Sequence, residues 1–366
     1  ELSSLRYVRP YVAITHVGDT TSQGDAAQAS DLARAIAPGY DGTGITVGVM
    51  SDSYDCASIL NDGRLTAADD IASGDLPAAG VNVLQEESGC GSGSDEGRAM
   101  LQIVHDVAPG SALAFHTAFG GQATFANGIT DLVTAGSDVV VDDVFNFGEP
   151  MFQDGIIAQA ADASGVPYFS SAGNSAQNSY ESPFVDSGLP GVQTATTHDF
   201  DPGPGISNLQ AITVPVGGNI RVAFQWDQPF ASLGGPGATT DLDVWIIGSD
   251  QATPLAVGGA DNLASGDALE FFSFTNTGFD LDNNGSTDTT FYILIENFTG
   301  ANPTLIKYFM SGSGSSIDTF DNDAGPSYGH SSAAGAASVA AAPYFDTPAF
   351  GVSPPLLESF LSLIHI

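Results

Sequence analysis

The sequence predicts an α/β protein, a doubly wound parallel sheet with an inserted all-β sandwich or jelly-roll domain. Three observations predict it. Between residues 44 and 171, short apolar runs alternate with segments of helical spacing, the sequence form of a parallel sheet with helices on both faces. From about 196 to 315, short runs of alternating polarity are separated by turn residues, with no helical stretch among them; this is the pattern of an antiparallel sandwich. Helical character then returns at Ser331–Ala342 (SSAAGAASVAAA), so the β block reads as an insertion.

The elements follow in order. Residues 1–40 read as a lead-in, within which Asp31–Ile36 (DLARAI) fits a short helix capped by Ser30 and ended by Pro38-Gly39. Gly44–Met50 (GITVGVM) is a buried strand running into the polar turn Ser51-Asp52-Ser53. Val81–Leu84 is a strand and Ser88–Ser94 a Gly/Ser-rich loop. From Asp95 (DEGRAMLQIVHDVAP) the spacing is helical, with Met100, Ile103, Val104 and Val107 on one face and Pro109-Gly110 as the stop. Then come strand Ala112–His116, helix Ala126–Ala135, strand Asp138–Val141, helix Gly155–Ala163 and strand Val166–Ser171, which leads to Ala172-Gly173-Asn174. In the β block the runs are Ile212–Val216, Asn219–Trp226, Thr240–Ile247, Leu269–Phe274, Thr290–Ile295 and Leu305–Met310. The expected division is lead-in 1–40, α/β unit 41–195, inserted sandwich 196–318, second part of the α/β unit 319–360, and a tail 361–366 that reads as non-native.

At roughly 150 residues per domain, the 366 residues make about two. Asp+Glu number 43 against 7 Lys+Arg, a formal charge of −36. That leaves no cationic footprint for nucleic acid or an anionic membrane. No apolar run approaches the ~20 residues that span a bilayer. With 42% hydrophobic and 14% charged residues the chain is a folding one, so the acidity lies on a folded surface. Its single lysine is Lys307. Such a surface stays hydrated in salt and points to a secreted or cell-surface protein of a saline setting. The chain opens at Glu1 with no Met and no signal-like segment, as expected once a leader is removed or was never included. Cys56 and Cys90 can make one disulfide in that setting.

Five segments, taken in order, resemble the subtilase family of serine peptidases, in its subtilisin-like and sedolisin-like branches. GITVGVMSDS resembles the strand that delivers the catalytic Asp, and DEGRAMLQIVHDVAPGSALAF the helix that carries the base. Asp138–Gly148 resembles the strand lining the substrate cleft, with Phe145–Gly148 as lining candidates. GVPYFSSAGN resembles the strand ending in the oxyanion Asn, and GHSSAAGAASVAA the segment opening the nucleophile helix. The resemblance covers about 40–190 and 325–345; TTDLDVWI in the β block looks like strands of sandwich domains that accompany secreted peptidases. It implies a secreted serine endopeptidase of the divergent, Glu-bearing kind, acting on protein or peptide substrates through an acyl-enzyme and needing no organic cofactor.

Residue by residue, the resemblance implies Ser331 as nucleophile, with Ser332 and Ser327 as alternatives. A Ser at a helix start gains from the positive end of the dipole. Subtilisins carry His-Gly-Thr where this chain has Glu96-Gly97-Arg98. Sedolisins use Glu there, supported by an acid four residues on; here that place is Met100. The support would then come from Asp52 on the strand, making a hybrid Asp52–Glu96–Ser331 triad. Asp52 stands one residue later than in the family's pattern, and Asp55 is the other candidate. A Glu near 4.3 is a weaker base at pH 7 than a His near 6.5. A second carboxylate raises one member of the pair, and the two titrate together. An acid-shifted optimum follows. Asn174 matches the subtilisin-like oxyanion donor, and subtilisin's own Asn is the standard example of a donor worth about 3 kcal/mol in this role. The family's Pro in the nucleophile helix is Gly335 here. His330 stands beside Ser331, but adjacent residues at a helix start point in different directions, so it is not read as the base; His105, nine residues after Glu96 on the helix, reads as structural.

Asp280, Asp282, Asn284 and Asp288 follow the first part of a calcium loop, D-x-D-x-N-G, with Phe291 where the twelfth-position Glu would stand. These residues could hold a structural Ca²⁺ in the β block, and Asp241 and Asp243, alternating on one strand, could join such a site. A hairpin turn is the other reading of the same residues, since Asn-Gly supports it. The other functional reading is a decayed subtilase-like surface protein that binds a protein or glycan through its β domain, or one that cuts only itself. Peptide specificity and oligomeric state stay open at this level.

Overall fold

A computed structural model describes residues 13–15, 23–36, 40–91, 93–175, 178–322 and 324–358. The Pro38-Gly39 stop and the 361–366 tail lie outside them. The first part of the chain runs β1 (Ala13–Thr15), α1 (Gly24–Ala27), α2 (Ser30–Arg34), β2 (Thr46–Ser51), α3 (Cys56–Leu60), α4 (Ala67–Ser73), β3 (Asn82–Gln85) and α5 (Glu96–Val107). It continues with β4 (Ala112–Thr117), α6 (Gln122–Thr134), β5 (Val139–Asp142), β6 (Val144–Asn146), α7 (Ile156–Ala163) and β7 (Tyr168–Ser171). Next come β8 (Ser179–Ser182), β9 (Gln210–Thr213), β10 (Asn219–Trp226), β11 (Asp241–Ile247), β12 (Pro254–Gly258), α8 (Asn262–Ser265), β13 (Leu269–Thr275), β14 (Thr290–Thr299), β15 (Ile306–Ser311) and β16 (Ser316–Ile317). The last strand is β17 (Ala336–Val339).

Six strands form one parallel sheet in the order β17-β7-β5-β2-β4-β3. Alternation along β2 explains its two covered faces. Met50 packs with Phe125, Ile129, Leu132 and Ile157 of α6 and α7. Val49, and Val47 against it, pack on the other side with Leu101 of α5. The chain leaves this sheet after β7 and re-enters it at β17. Between them, two antiparallel sheets, β13-β10-β15-β8 and β12-β11-β14-β9-β16, share one core. Val222, Phe224 and Trp226 of one sheet meet Leu242, Val244, Ile246, Ile293 and Ile295 of the other.

Three differences from the sequence reading have physical causes. Strand β8 pairs with β15, so the sandwich takes in residues ahead of 196. Strand β12 carries little strand signal because it opens on Pro254; it is an edge strand, where a missing N–H costs no ladder bond. The helix expected over Ser331–Ala342 does not form. Gly329–Ser332 is a single 3₁₀ turn, and Ala336–Val339 pairs in parallel with Tyr168–Ser171. Ala-rich sequence favours helix, but these small side chains offer a helix little to bury, whereas the edge of β7 offers a row of backbone partners.

A second consequence of the sandwich concerns charge. Asp243 lies opposite Glu296 across β11 and β14, and both are buried. Burial, then the charges of Asp241 and Glu296, push Asp243 up to about 7. Burial pushes Glu270 up to about 8 although the Ala260 amide bonds it. Both carboxyls hold protons in the folded state that the unfolded chain has lost. Their contribution is therefore full below about pH 4 and fades from there to about pH 8. In EDTA, Asp243→Asn should melt with the wild type at pH 4 and above it at pH 8, by roughly 2 kcal/mol. A gap that is the same at both pH values in thermal melts would contradict this.

Candidate functional site

The carboxyl ends of β2, β5 and β7 lie side by side, the edge at which open α/β sheets carry their sites. At the end of β2, Asp52 accepts from the Ser94 amide (2.6 Å), the Ser94 hydroxyl (2.5 Å), the Glu96 amide (3.1 Å), the Ser53 hydroxyl (3.2 Å) and the Ser53 amide. A carboxylate in this place satisfies the free N–H groups at the start of α5 and faces the positive end of its dipole. Asp95 precedes α5 with φ 65°, a left-handed conformation that Asp tolerates. Its carboxylate accepts from the amides of Cys56 (2.6 Å) and Ala57 (3.0 Å), the first residues of α3. Each aspartate thus caps the other's neighbouring helix. The Cys56–Cys90 disulfide ties α3 to the loop ahead of α5.

This scaffold holds Glu96. It is 7% exposed, and its Oε2 accepts from the Ser51 hydroxyl at 2.5 Å. Asp52 and Glu96 are therefore brought together, with Asp52 meeting Glu96 at its backbone amide. The alternative aspartate, Asp55, is committed elsewhere. It accepts from Arg98 (2.9 Å) and the Ala67 amide (2.9 Å), inside a buried group in which Arg98 also pairs with Asp70 at 2.9 Å.

Ser331 lies in the turn Gly329–Ser332, whose His330 reaches Asp142 at the end of β5. It is buried, and its hydroxyl donates to the Tyr328 carbonyl at 3.2 Å. Among the described residues that is the hydroxyl's bond, and it does not run to Glu96. Ser327 donates to the Ala172 carbonyl at 2.7 Å, and Ser332 is exposed. Asn174 is exposed, one residue after Gly173 with its φ of 85°, and lines a polar cleft.

His330 has a partner on each ring nitrogen. Nδ1 lies 2.5 Å from Glu149 Oε2 and Nε2 lies 3.1 Å from Asp142 Oδ1, while the His330 amide donates to Glu149 Oε1 at 2.9 Å. The Tyr168 hydroxyl (2.5 Å) and Ser170 hydroxyl (3.0 Å) also donate to Asp142. Burial alone would push the imidazole down; the charges of Glu149 and Asp142 outweigh it and hold His330 well above its usual value. An imidazolium clamped on both nitrogens accepts no proton, so His330 anchors the Ser331 segment and is no base. Asp142, Glu149 and Tyr168 were missed individually from sequence. So was Asp143, which burial pushes to about 6 against a bond from Ser171, helped by the charge of Asp142. The available signal was an acidic pair closing an apolar strand, VVVDD.

In the sandwich, carboxylate oxygens of Asp280, Asp282 and Asp288 lie within 4.8 Å of one another. Asp288 accepts from the Leu281 amide at 2.7 Å and the Ser249 hydroxyl at 2.6 Å. Asn284 turns inward on its own loop, donating to Asp282 at 2.7 Å and accepting from the Ser286 amide at 2.8 Å. An all-oxygen set at this spacing suits a hard divalent cation. Asp241 and Asp243 do not join it. They open β11, whereas Gly248, beyond its far end, is the neighbour of Leu281; at ~3.3 Å per residue the strand separates the two by roughly 20 Å.

No protein-family model matches the sequence, and no curated protein matches it. Solved structures resemble it weakly. A lanthipeptide protease is 16% identical over 42% of this chain and 46% of that one, with a TM-score of 0.30. The CspB protease of Clostridium perfringens is 11% identical over 74% of this chain and 62% of that one, with a TM-score of 0.35. An acid-stable capsid structure of Helicobacter pylori bacteriophage KHP30 is 15% identical over 37% of this chain and 90% of that one, at 0.18. The matches span less than two thirds of either protease. Likeness at this level does not establish a shared fold, so the functional reading rests on this chain's own residues.

His330→Gln should strand Asp142 and Glu149 as buried carboxylates without a cation and cost about 3–5 kcal/mol. Ser331→Ala, which removes one bond to a carbonyl, should cost about 1 kcal/mol. Thermal or urea unfolding of the two variants checks this; equal melting of His330→Gln and wild type would show that the clamp carries no charge.

Proposed function

We propose that this chain is a serine endopeptidase that is secreted or held at the cell surface and hydrolyses peptide bonds through an acyl-enzyme. The observation that carries the reading is Glu96. A buried carboxylate at the first turn of α5, held by the cap from Asp52 and bonded to Ser51, is what a general base needs: a fixed position at the edge of the sheet where sites form. In this reading Ser331 gives up its bond to Tyr328, passes its proton to Glu96 and attacks the substrate carbonyl. Asp52 keeps Glu96 in place through the start of α5. Asn174 donates to the developing oxyanion. The intermediate collapses as Glu96 returns its proton to the leaving amine and the peptide C–N bond breaks; water then attacks the acyl group, with Glu96 as base again, and Ser331 is released. Export fits the Cys56–Cys90 disulfide, since disulfides persist in oxidising compartments, and no helix among the described residues is long and apolar enough to cross a membrane.

The second reading is a decayed, subtilase-like surface protein that binds a protein or glycan partner through its sandwich. One observation favours it: Ser331 is turned to Tyr328 and the Asp52 oxygens are filled by serine and amide donors.

Fluorophosphonate labelling between pH 3 and 9 separates them. Under the peptidase reading, label maps to Ser331, is lost in Ser331→Ala and Glu96→Gln, and persists at pH values where a His base would be protonated. A folded wild type that takes no label at any pH overturns it. In the same reading the loop of Asp280, Asp282 and Asp288 takes Ca²⁺ as a stabiliser. A hundredfold excess over Kd should then add about 2.7 kcal/mol, lost in Asp282→Asn/Asp288→Asn. A melt indifferent to Ca²⁺ and EDTA would remove the cation from the account.

A further inference from the structure

Arg34, Arg64, Arg98 and Lys307 each meet a carboxylate at 3.0 Å or less. Arg221 is the exception among the described cations. It is exposed and makes no side-chain hydrogen bond or ion pair to a described residue. In a chain with 43 Asp+Glu against 7 Lys+Arg, a guanidinium that meets no carboxylate among the described residues needs a reason.

Its place on β10 supplies one. Ile220, Val222, Phe224 and Trp226 fill the sandwich core. The alternate residues face the α/β unit. Gln225 donates to the Glu149 carbonyl at 2.7 Å and accepts from the Met151 amide at 2.8 Å. Ala223 packs with Phe147, Phe309 and Tyr328. Arg221, one step further along that face, opens into a cleft of about 340 Å³ where the sandwich meets the segment after β7. Asn174, Ser175 and Asn178 form one wall; Asn219, Arg221 and Ser311 form another. Among the described residues no carboxylate lines the cleft, and its one charge is positive.

We propose that this cleft is a subsite for a peptide carboxylate, which Arg221 grips while the peptide lies across Asn174. An arginine fork matches a carboxylate through two parallel N–H···O bonds, and the surrounding amides and hydroxyls supply further donors. This specificity rests on the peptidase reading, since it places the bound carboxylate beside the proposed oxyanion donor. The carboxylate is either a Glu or Asp side chain or the peptide's own C-terminus.

The Arg Nε–H signals of ¹⁵N-labelled Ser331→Ala protein report on it directly. Three acetylated pentapeptides serve as probes: Ala-Ala-Glu-Ala-Ala amide, the same peptide with Gln, and the Gln peptide as a free acid. The expected result is a shift of the Arg221 signal by the Glu peptide, with binding about tenfold tighter than for the Gln amide. Arg221→Ala should abolish that difference and Arg221→Lys keep part of it. If the free acid alone shifts the signal, the C-terminus is the occupant. Equal binding of all three, no shift up to the solubility limit, or a preference that survives Arg221→Ala overturns the subsite. Wild-type cleavage of the same peptides is read separately. Binding through Arg221 without cleavage or fluorophosphonate labelling sinks the peptidase reading and leaves the subsite standing; cleavage blind to Glu, Gln and Arg221 does the reverse.

Discussion

The exchange of caps between Asp52 and Asp95 is the constraint on which the site depends. A helix start leaves amides without partners, and two starts, those of α3 and α5, converge at the end of β2. Each aspartate satisfies the start that the other's segment needs. Arg98 then neutralises the acids that gather around them. Glu96 inherits a fixed backbone and a buried position from this arrangement. Gly97 is part of it: a side chain there would run into the ring of Phe115 and the Ser53 carbonyl. The pair Glu96-Gly97 is thus set by the approach of α5 to the sheet as much as by any chemistry of the carboxylate.

Charge is handled differently in the two halves of the protein. In the α/β unit, the buried acids Asp70, Asp142 and Glu149 are met by cations, Arg98 on one side of the sheet and His330 on the other, while Asp52 is met by serine and amide donors. In the sandwich, Asp241, Asp243, Glu270 and Glu296 are buried with amide, hydroxyl and indole donors and, among the described residues, no cation. Burial raises two of them, Asp243 to about 7 and Glu270 to about 8, so these two keep their protons towards neutrality.

Much of the fold was legible because alternation and helical spacing are written over long segments. The limits of β10 (Asn219–Trp226) match the apolar alternation residue for residue, and α5 begins at Glu96 as the acids before Gly97 suggest. What was not legible depended on partners distant in sequence. Nothing in SSAAGAASVAAA reveals that an open strand edge awaits it. Nothing near His330 reveals Glu149, whose chain position is 181 residues away. At the site, Asp52 and Glu96 stood out through the resemblance of the segments around them, GITVGVMSDS and DEGRAMLQIVHDVAP, to known peptidase motifs. The filling of Asp52 by Ser94 did not, since a loop serine carries no periodic signal.

The return of the chain to its first sheet sets an order of assembly. Strand β17 pairs with a strand about 170 residues earlier, a separation that makes closure slow if the intervening chain is loose. It need not be loose. The sandwich begins with β8 soon after β7 and ends with β16 at Ile317, with residues 318–335 still to run before β17, so once folded it reduces the loose chain between β7 and β17 to these two connections. On the ribosome, β7 would remain an open edge until the whole sandwich had emerged. The Ser331 segment, which lies just ahead of β17, would be the last part of the site to arrive, and any hydrolytic power would be withheld until the rest of the protein had folded.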